Sequence, residues 1–85
     1  MRDVKFLGDS FEDFLDWGQN NKQLQKHIVR LIQEVRRTPF EGIGKPEALK
    51  GELSGFWSRR IDDEHRLVYE VSDEEIIIHA VRDHS

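Results

Sequence analysis

A carboxylate, a guanidinium and an imidazole are the residues of this sequence best suited to chemistry. Glu47 follows a Gly-Lys-Pro turn, Arg66 lies in a run that alternates apolar and polar residues, and His84 lies near the C-terminus. Metal-free cleavage of an RNA phosphodiester needs a general base, a cation that stabilises the phosphorane charge, and a general acid. We therefore predict Glu47 as the base, Arg66 as the phosphate-stabilising residue and His84 as the acid.

Cations surround these candidates in the sequence. Residues 22–60 contain nine Lys or Arg and four Asp or Glu, a net charge of +5, although the whole chain has a net charge of -4. A basic face on an acidic body favours one orientation of a bound polyanion. Four cations near the candidate base are predicted to contact RNA phosphate: Lys45, Lys50, Arg59 and Arg60. Because Arg59 and Arg60 are consecutive in a predicted strand, at most one of them can join a site on a given face.

Length and composition limit the organisation of the chain. The 85 residues contain 36% hydrophobic and 35% charged residues, which predicts one globular domain spanning 1–85. Cysteine is absent, so neither a disulfide framework nor a thiolate zinc site is expected. No apolar run reaches the length of a signal peptide core or a membrane span. We expect a cytoplasmic protein that does not associate with membranes.

Each candidate also has a structural interpretation that the sequence leaves open. Glu47 is also compatible with an exposed loop carboxylate, Arg66 with a cross-strand ion pair, and His84 with a frayed terminal residue. The aromatic residues Phe56 and Trp57 are more typical of packing than of base stacking. The spacing of the histidines does not indicate a metal site, and we expect no cofactor.

Periodicity predicts two helices after a short strand. Val4 and Phe6 alternate as in a strand. Apolar residues at helical spacing then predict a first helix over 10–19, with Ser10 and Asp13 as a capping box and Trp17 at the edge of the apolar stripe. The stripe itself comprises Phe11, Phe14 and Leu15. A second helix begins near Lys22 and ends before Pro39.

The rest of the chain predicts an antiparallel sheet. Residues 40–51 contain the turn-forming residues Gly42, Gly44 and Pro46 and are expected to form an ordered loop that carries Glu47. Short strands are then expected at Leu53 and over 57–61, 66–71 and 75–81, joined by turns of a length typical of antiparallel hairpins. The order β-α-α-β-β-β predicts an α+β fold in which two helices pack on one face of the sheet. The opposite face is then free for function.

Three strings of the sequence closely resemble the Txe/YoeB family of bacterial toxins, within the wider RelE/ParE group. They are RRTPFEGIGKPE at 36–47, LSGFWSRRI at 53–61 and EHRLVY at 64–69. The resemblance covers nearly the whole chain. It implies the RelE-like microbial RNase fold and a ribosome-dependent endoribonuclease that cleaves mRNA in the A site by 2′-OH attack. It also implies Glu47 as base, Arg66 as phosphate stabiliser and His84 as acid.

The same resemblance implies partners. They are a YefM-type antitoxin, the bacterial 70S ribosome with its mRNA, a second copy of the chain in a homodimer, and operator DNA contacted only through the antitoxin complex. No metal ion or other cofactor is implied.

One residue departs from the family pattern. Members of the family usually end in His-Tyr, whereas the corresponding pair here is His84-Ser85. Stacking of an aromatic side chain on a base is worth about 1–3 kcal/mol, so its loss can lower binding or rate about ten- to a hundredfold. Ser85 is therefore a possible substrate contact of reduced strength. Two alternative functions stay open: an impaired toxin that acts only by binding antitoxin and regulating its operon, and a ParE-like inhibitor of another target.

Overall fold

The computed structural model describes residues 1–84, and for His84 it describes the backbone alone. It contains two α-helices, one short 3₁₀ helix at Gly51–Leu53 and five strands. In chain order, the main elements are β1 Asp3–Phe6, α1 Ser10–Asn20, α2 Lys22–Arg37, β2 Glu47–Ala48, β3 Phe56–Arg60, β4 His65–Val71 and β5 Glu75–His84. No helix in this part of the chain is long and apolar enough to cross a membrane.

The five strands form one sheet in the order β1-β5-β4-β3-β2. Every neighbouring pair is antiparallel except β1 and β5, which are parallel, with Val4 opposite Ile76. The predicted α+β fold with two helices packed on one face of an antiparallel sheet is confirmed, and the parallel β1–β5 pair is a detail that the sequence did not indicate. The helical pair carries the chain back across the sheet between β1 and the later strands, and such a crossover permits parallel pairing.

The core lies between the helices and one face of the sheet. Four residues of α2 contribute to it: Ile28, Leu31, Ile32 and Val35. The sheet contributes alternate residues, among them Leu67 and Tyr69 from β4 and Ile76 and Ile78 from β5, all fully buried. The predicted alternation of β4 is therefore confirmed.

Helix α1 presents a different side to the core from the one predicted. Trp17 is buried, and its indole N–H donates to the Val81 carbonyl at 2.8 Å, whereas Phe11 and Leu15 are about half exposed. The predicted capping box was also wrong. The buried Ser10 hydroxyl donates to the Leu7 carbonyl at 2.6 Å, so it ties α1 to the end of β1 instead of capping the helix.

Helix α2 ends where the sequence predicted, with Thr38 following its last residue and Pro39 beyond. The expected loop over 40–51 differs in one respect. Glu47 and Ala48 form β2, the edge strand that pairs with Ser58 and Trp57 of β3. Leu53 belongs to the 3₁₀ helix and not to a strand. Glu47 is thus attached to the sheet and not only to a loop.

Candidate active site

The sheet face opposite the helices, here called the open face, brings two of the predicted catalytic residues together. Glu47 lies opposite Ser58 in the β2–β3 pair, and Ser58 lies opposite Val68, two residues from Arg66 on the same face of β4. The Arg66 guanidinium NH1 is 3.6 Å from Glu47 Oε2 and donates to the Ser58 hydroxyl at 3.2 Å. Pairing of short strands thus places a carboxylate beside a guanidinium.

These two side chains differ in exposure. The Glu47 side chain is 65% exposed and that of Arg66 is 24% exposed. The Arg66 guanidinium has five N–H donors, and among the described side chains one hydrogen bond uses them, to Ser58. Donors therefore remain for a bidentate contact to an anion such as phosphate, while the carboxylate is accessible to a substrate hydroxyl.

Three of the predicted phosphate-binding cations are exposed. Lys45 and Lys50 flank β2, and Arg60 lies opposite Arg66 in the β3–β4 pair. None of the three has an ion-pair partner within the part of the chain that the structure describes. Lys45 adopts a positive φ of 51°, a left-handed conformation that is uncommon outside glycine. The geometry is compatible with a cationic rim around Glu47 and Arg66.

Arg59 has a different environment from the one predicted. Its side chain is fully buried on the helix face of the sheet, where Nε donates to Tyr69 Oη at 3.2 Å and NH1 donates to Glu34 Oε1 at 2.7 Å. The guanidinium also donates to three backbone carbonyls, those of Thr38, Glu41 and Ile43. The expectation that Arg59 contacts RNA phosphate was wrong, because every N–H of this buried group is engaged within the protein. Arg59, Glu34 and Tyr69 are called the Arg59 clamp below.

The ionisation of the clamp residues follows from their contacts. Burial raises the pKa of Glu34, but hydrogen bonds from the Ile43 amide and the Arg59 guanidinium outweigh it, so the pKa lies below its usual value of 4.5. Burial raises the pKa of Tyr69 above 10.0, although Arg59 opposes the shift. Tyr69 is therefore neutral at physiological pH, and its hydroxyl donates to the Pro39 carbonyl at 2.7 Å.

The third predicted catalytic residue is described only in part. The backbone of His84 ends β5 opposite His65, next to the Arg66–Asp83 pair. The His84 side chain, predicted as the general acid, and Ser85, predicted as a possible substrate contact, lie outside the described residues. Their roles stay predictions.

The histidines His65 and His79 have structural contacts. His65 packs its ring edge-on against Trp17 and contacts the Asp62 carboxylate at 3.0 Å. Burial raises the pKa of the Asp62 carboxyl, but hydrogen bonds from the His65 and Glu64 amides lower it by more, so the pKa lies below its usual value. His79 stacks on Phe56 and contacts Glu70 at 2.7 Å. Among the described residues, no group of three His, Cys, Asp or Glu is placed to hold a metal ion.

Comparison with known protein families assigns the chain to one of them. The profile of a family described as the YoeB-like toxin of bacterial type II toxin–antitoxin systems matches residues 6–85. The chain belongs to the YoeB toxin family. It is therefore a type II toxin–antitoxin toxin, as the three sequence strings predicted.

Curated relatives cover nearly the same length. Toxin YoeB of Mycobacterium bovis is 56% identical over 84 residues, which span 99% of each chain. Toxin YoeB of Escherichia coli is 57% identical over 76 residues, which span 89% of this chain and 90% of that protein.

Solved structures of YoeB proteins have the same fold. A YoeB/ParE toxin from Agrobacterium tumefaciens superposes with a TM-score of 0.93 at 39% identity, covering 98% of this chain and 99% of that one. The toxin in a heterotetrameric YoeB–YefM complex from Staphylococcus aureus gives 0.89 at 43% identity, covering 100% and 99%. A YoeB dimer from Staphylococcus aureus gives 0.91 at 44% identity, covering 99% and 98%.

Sequence reasoning missed Ser58 and the clamp partners of this YoeB chain. The sequence did contain a signal for the clamp. Alternate side chains of a strand lie on the same face, so Arg59 shares a face with the apolar residues Trp57 and Ile61, and that face is the core face. Ser58 lies on the other face of the strand, with Glu47 and Arg66. Glu34 gave no signal, because an acid on an amphipathic helix is usually solvated.

Proposed function

We propose that this YoeB-family toxin is a ribosome-dependent endoribonuclease that cleaves mRNA in the A site and thereby inhibits translation. The observation that carries the proposal is the 3.6 Å approach of Glu47 to Arg66 on the open face. An accessible carboxylate beside a guanidinium with unused donors supplies a general base and a phosphate-stabilising cation.

The proposed reaction balances without a metal ion. Glu47 takes the proton of a ribose 2′-OH, and the 2′-oxygen attacks the adjacent phosphorus. Arg66 stabilises the extra negative charge that develops on the phosphoryl oxygens. The bond from phosphorus to the 5′-oxygen breaks as His84 donates a proton to that oxygen. The products are a 2′,3′-cyclic phosphate and a 5′-OH end.

The exposed cations give the proposal a binding surface. Lys45 and Lys50 flank β2 in the sequence, Arg60 lies opposite Arg66, and all three are proposed to contact mRNA phosphates. The acidic remainder of the chain disfavours general affinity for RNA. We therefore propose that the ribosome positions the substrate and that naked mRNA is cleaved far more slowly.

Partners and location are proposed from the family relationship. The Staphylococcus aureus relatives form a YoeB–YefM heterotetramer and a YoeB dimer. We propose a YefM-type antitoxin and a homodimer for this chain, with operator DNA bound only through the antitoxin complex. Because the proposed substrate is ribosome-bound mRNA, the protein is proposed to act in the cytoplasm.

Primer extension on mRNA held in purified, stalled bacterial ribosomes tests this function. Addition of the protein is expected to produce a new end within the A-site codon, with little cleavage of the same mRNA free in solution. Intact ribosome-bound mRNA in the presence of folded, ribosome-bound protein contradicts the proposal. Equal cleavage of free mRNA contradicts the ribosome dependence.

The second candidate is an impaired toxin that only binds antitoxin and regulates its operon. The observation that favours it is Ser85, where family members usually carry Tyr. Ser85→Tyr separates the two functions in the same assay. A change from no cleavage to a defined A-site cut identifies the parent as impaired, whereas a cut already present in the parent excludes this candidate.

A further inference from the structure

The candidate base Glu47 lies in β2, a strand that is too short to fix its own position. β2 consists of two exposed residues. It is attached to β3 by the Glu47–Ser58 and Ala48–Trp57 pairs, and beyond it the Leu49 amide donates to the Phe56 carbonyl at 2.9 Å. With one neighbouring strand and a 65% exposed side chain, Glu47 depends on the chain before it for a defined direction.

The Arg59 clamp holds that preceding chain, residues 38–44, at five backbone groups. Arg59 NH2 donates to the Thr38 carbonyl at 2.6 Å and the Glu41 carbonyl at 2.8 Å, and NH1 donates to the Ile43 carbonyl at 3.2 Å. Tyr69 holds the Pro39 carbonyl. A buried guanidinium with five engaged donors has one geometry, so the segment that it binds has one conformation.

Glu34 completes the attachment from helix α2. Its Oε1 accepts from the Ile43 amide at 2.6 Å as well as from Arg59. Gly42 has a φ of +123°, and a Cβ there would lie 1.8 Å from Glu34 Oε1, so the chain passes this carboxylate at a distance only glycine permits. At the end of the segment, the Arg60 amide donates to the Gly44 carbonyl at 2.6 Å.

The clamp and the candidate site share one strand. Arg59 and Ser58 are consecutive in β3 and face opposite sides, so Arg59 binds residues 38–44 while Ser58 accepts from Arg66. We propose that the Arg59 clamp is a positioning device, formed by Arg59, Glu34 and Tyr69, that sets the Glu47 carboxylate against Arg66. This role rests on the proposed nuclease function and concerns positioning residues that do not touch the substrate.

A double-mutant cycle tests the positioning role. Glu34→Ala is expected to lower kcat on ribosome-bound mRNA about a hundredfold, the usual effect of a misplacement of about 1 Å, with KM unchanged. Glu34→Gln retains the acceptor of the Ile43 and Arg59 hydrogen bonds and is expected to stay within about tenfold of the parent. If the clamp acts through Glu47, Glu34→Ala added to Glu47→Ala causes no further loss.

A matched control separates positioning from stability. Ile76→Ala removes fully buried core volume in β5, where Ile76 lies opposite Val71 at the end of β4 far from Arg66, and it lowers stability without removing a hydrogen bond of the clamp. It is expected to retain the parent kcat at a temperature where both variants are folded. Equal kcat losses in Ile76→Ala and Glu34→Ala, or multiplied losses in the Glu34→Ala, Glu47→Ala double variant, overturn the proposal.

Amide hydrogen exchange tests the clamp without any assay of activity. In Glu34→Ala, the amides of Arg60 and Leu49, which hold the two sides of β2, are expected to exchange at least about tenfold faster than in the parent. The amides of the β4–β5 ladder are expected to keep their rates. Unchanged exchange at Arg60 and Leu49 overturns the positioning role. A parent that cuts no mRNA overturns the nuclease function instead, and the exchange result still decides whether the clamp fixes β2.

Discussion

The two faces of the sheet use arginine in opposite ways. Arg59, on the helix face, is fully buried and has all five N–H donors engaged. Arg66, on the open face, makes one hydrogen bond and one longer ion pair to the residues that the structure describes. A fully engaged, buried guanidinium fixes backbone and cannot bind a ligand. A partly exposed guanidinium with unused donors has hydrogen-bonding capacity for phosphate. Arg59 therefore stabilises the fold, and Arg66 is the arginine proposed to act in the chemistry.

The largest expected contrast is in stability. Arg59→Met leaves Glu34 and several backbone carbonyls without their donor and is expected to cost about 3–5 kcal/mol of unfolding free energy. Arg66→Met removes one hydrogen bond at the edge of solvent and is expected to cost about 0.5 kcal/mol. Urea denaturation of both variants measures the difference. Equal losses for the two variants would remove the distinction between the faces.

The converse contrast concerns cleavage. Arg66→Lys keeps the charge but loses the bidentate fork, and we expect a fall of about 10²–10³ in single-turnover cleavage of ribosome-bound mRNA. Arg37→Lys, the same change in an exposed residue at the end of α2, is the control and is expected to stay within about twofold. Full activity of Arg66→Lys would show that the guanidinium has no role in the reaction.

The sequence predicted the elements better than their environments. The 3.6-residue period of α2 and the alternation of β4 gave both elements nearly to their observed ends, because one face of each is buried. The parallel β1–β5 pair was missed, since pairing direction depends on how the helical connection crosses the sheet. The exposure of Phe11 and the burial of Trp17 depend on how α1 rotates against the sheet, which an amphipathic stripe with aromatics at its edge does not define.

The candidate site was predictable only in part. Glu47 and Arg66 were found because a turn and a strand presented them, but their 3.6 Å contact depends on β2, which is too short to show a period. The parity of Arg59 with Trp57 indicated the core. The sequence still gave no sign of the carbonyls that accept from the buried Arg59 guanidinium, because they belong to residues 16 to 21 positions earlier.

The charge on Glu34 makes the contribution of the clamp to stability dependent on pH. The pKa of Glu34 is below 4.5 in the folded protein, so its charged form stabilises the fold above that pH, and this contribution is lost as the pH falls through the folded-state pKa. Glu34→Gln is expected to be less stable than the parent by about 1 kcal/mol at pH 7. Thermal unfolding between pH 7 and pH 3 should show the difference shrinking below pH 4.5. A difference that grows with acidity would contradict the assigned pKa direction.

The smallest expected effect is at Ser58. Ser58→Ala removes the acceptor of the Arg66 hydrogen bond and leaves Glu47 as the only described side chain paired with Arg66. A lost hydrogen bond of about 1 kcal/mol corresponds to a fall of about fivefold in cleavage rate. Single-turnover kinetics with Ser54→Ala as the control measures it. A loss as large as that of Arg66→Lys would place Ser58 in the chemistry itself.

The most direct measurement of the central claim is single-turnover cleavage of ribosome-bound mRNA by Glu47→Gln, with analysis of the product ends. Gln retains the shape of the side chain but cannot accept the 2′-OH proton, so cleavage is expected to fall about 10²–10⁴-fold. Glu52→Gln, an exposed neighbour on the 3₁₀ helix, should cleave like the parent and leave 2′,3′-cyclic phosphate and 5′-OH ends. Undiminished cleavage by Glu47→Gln would contradict the assignment of the open face as the catalytic site.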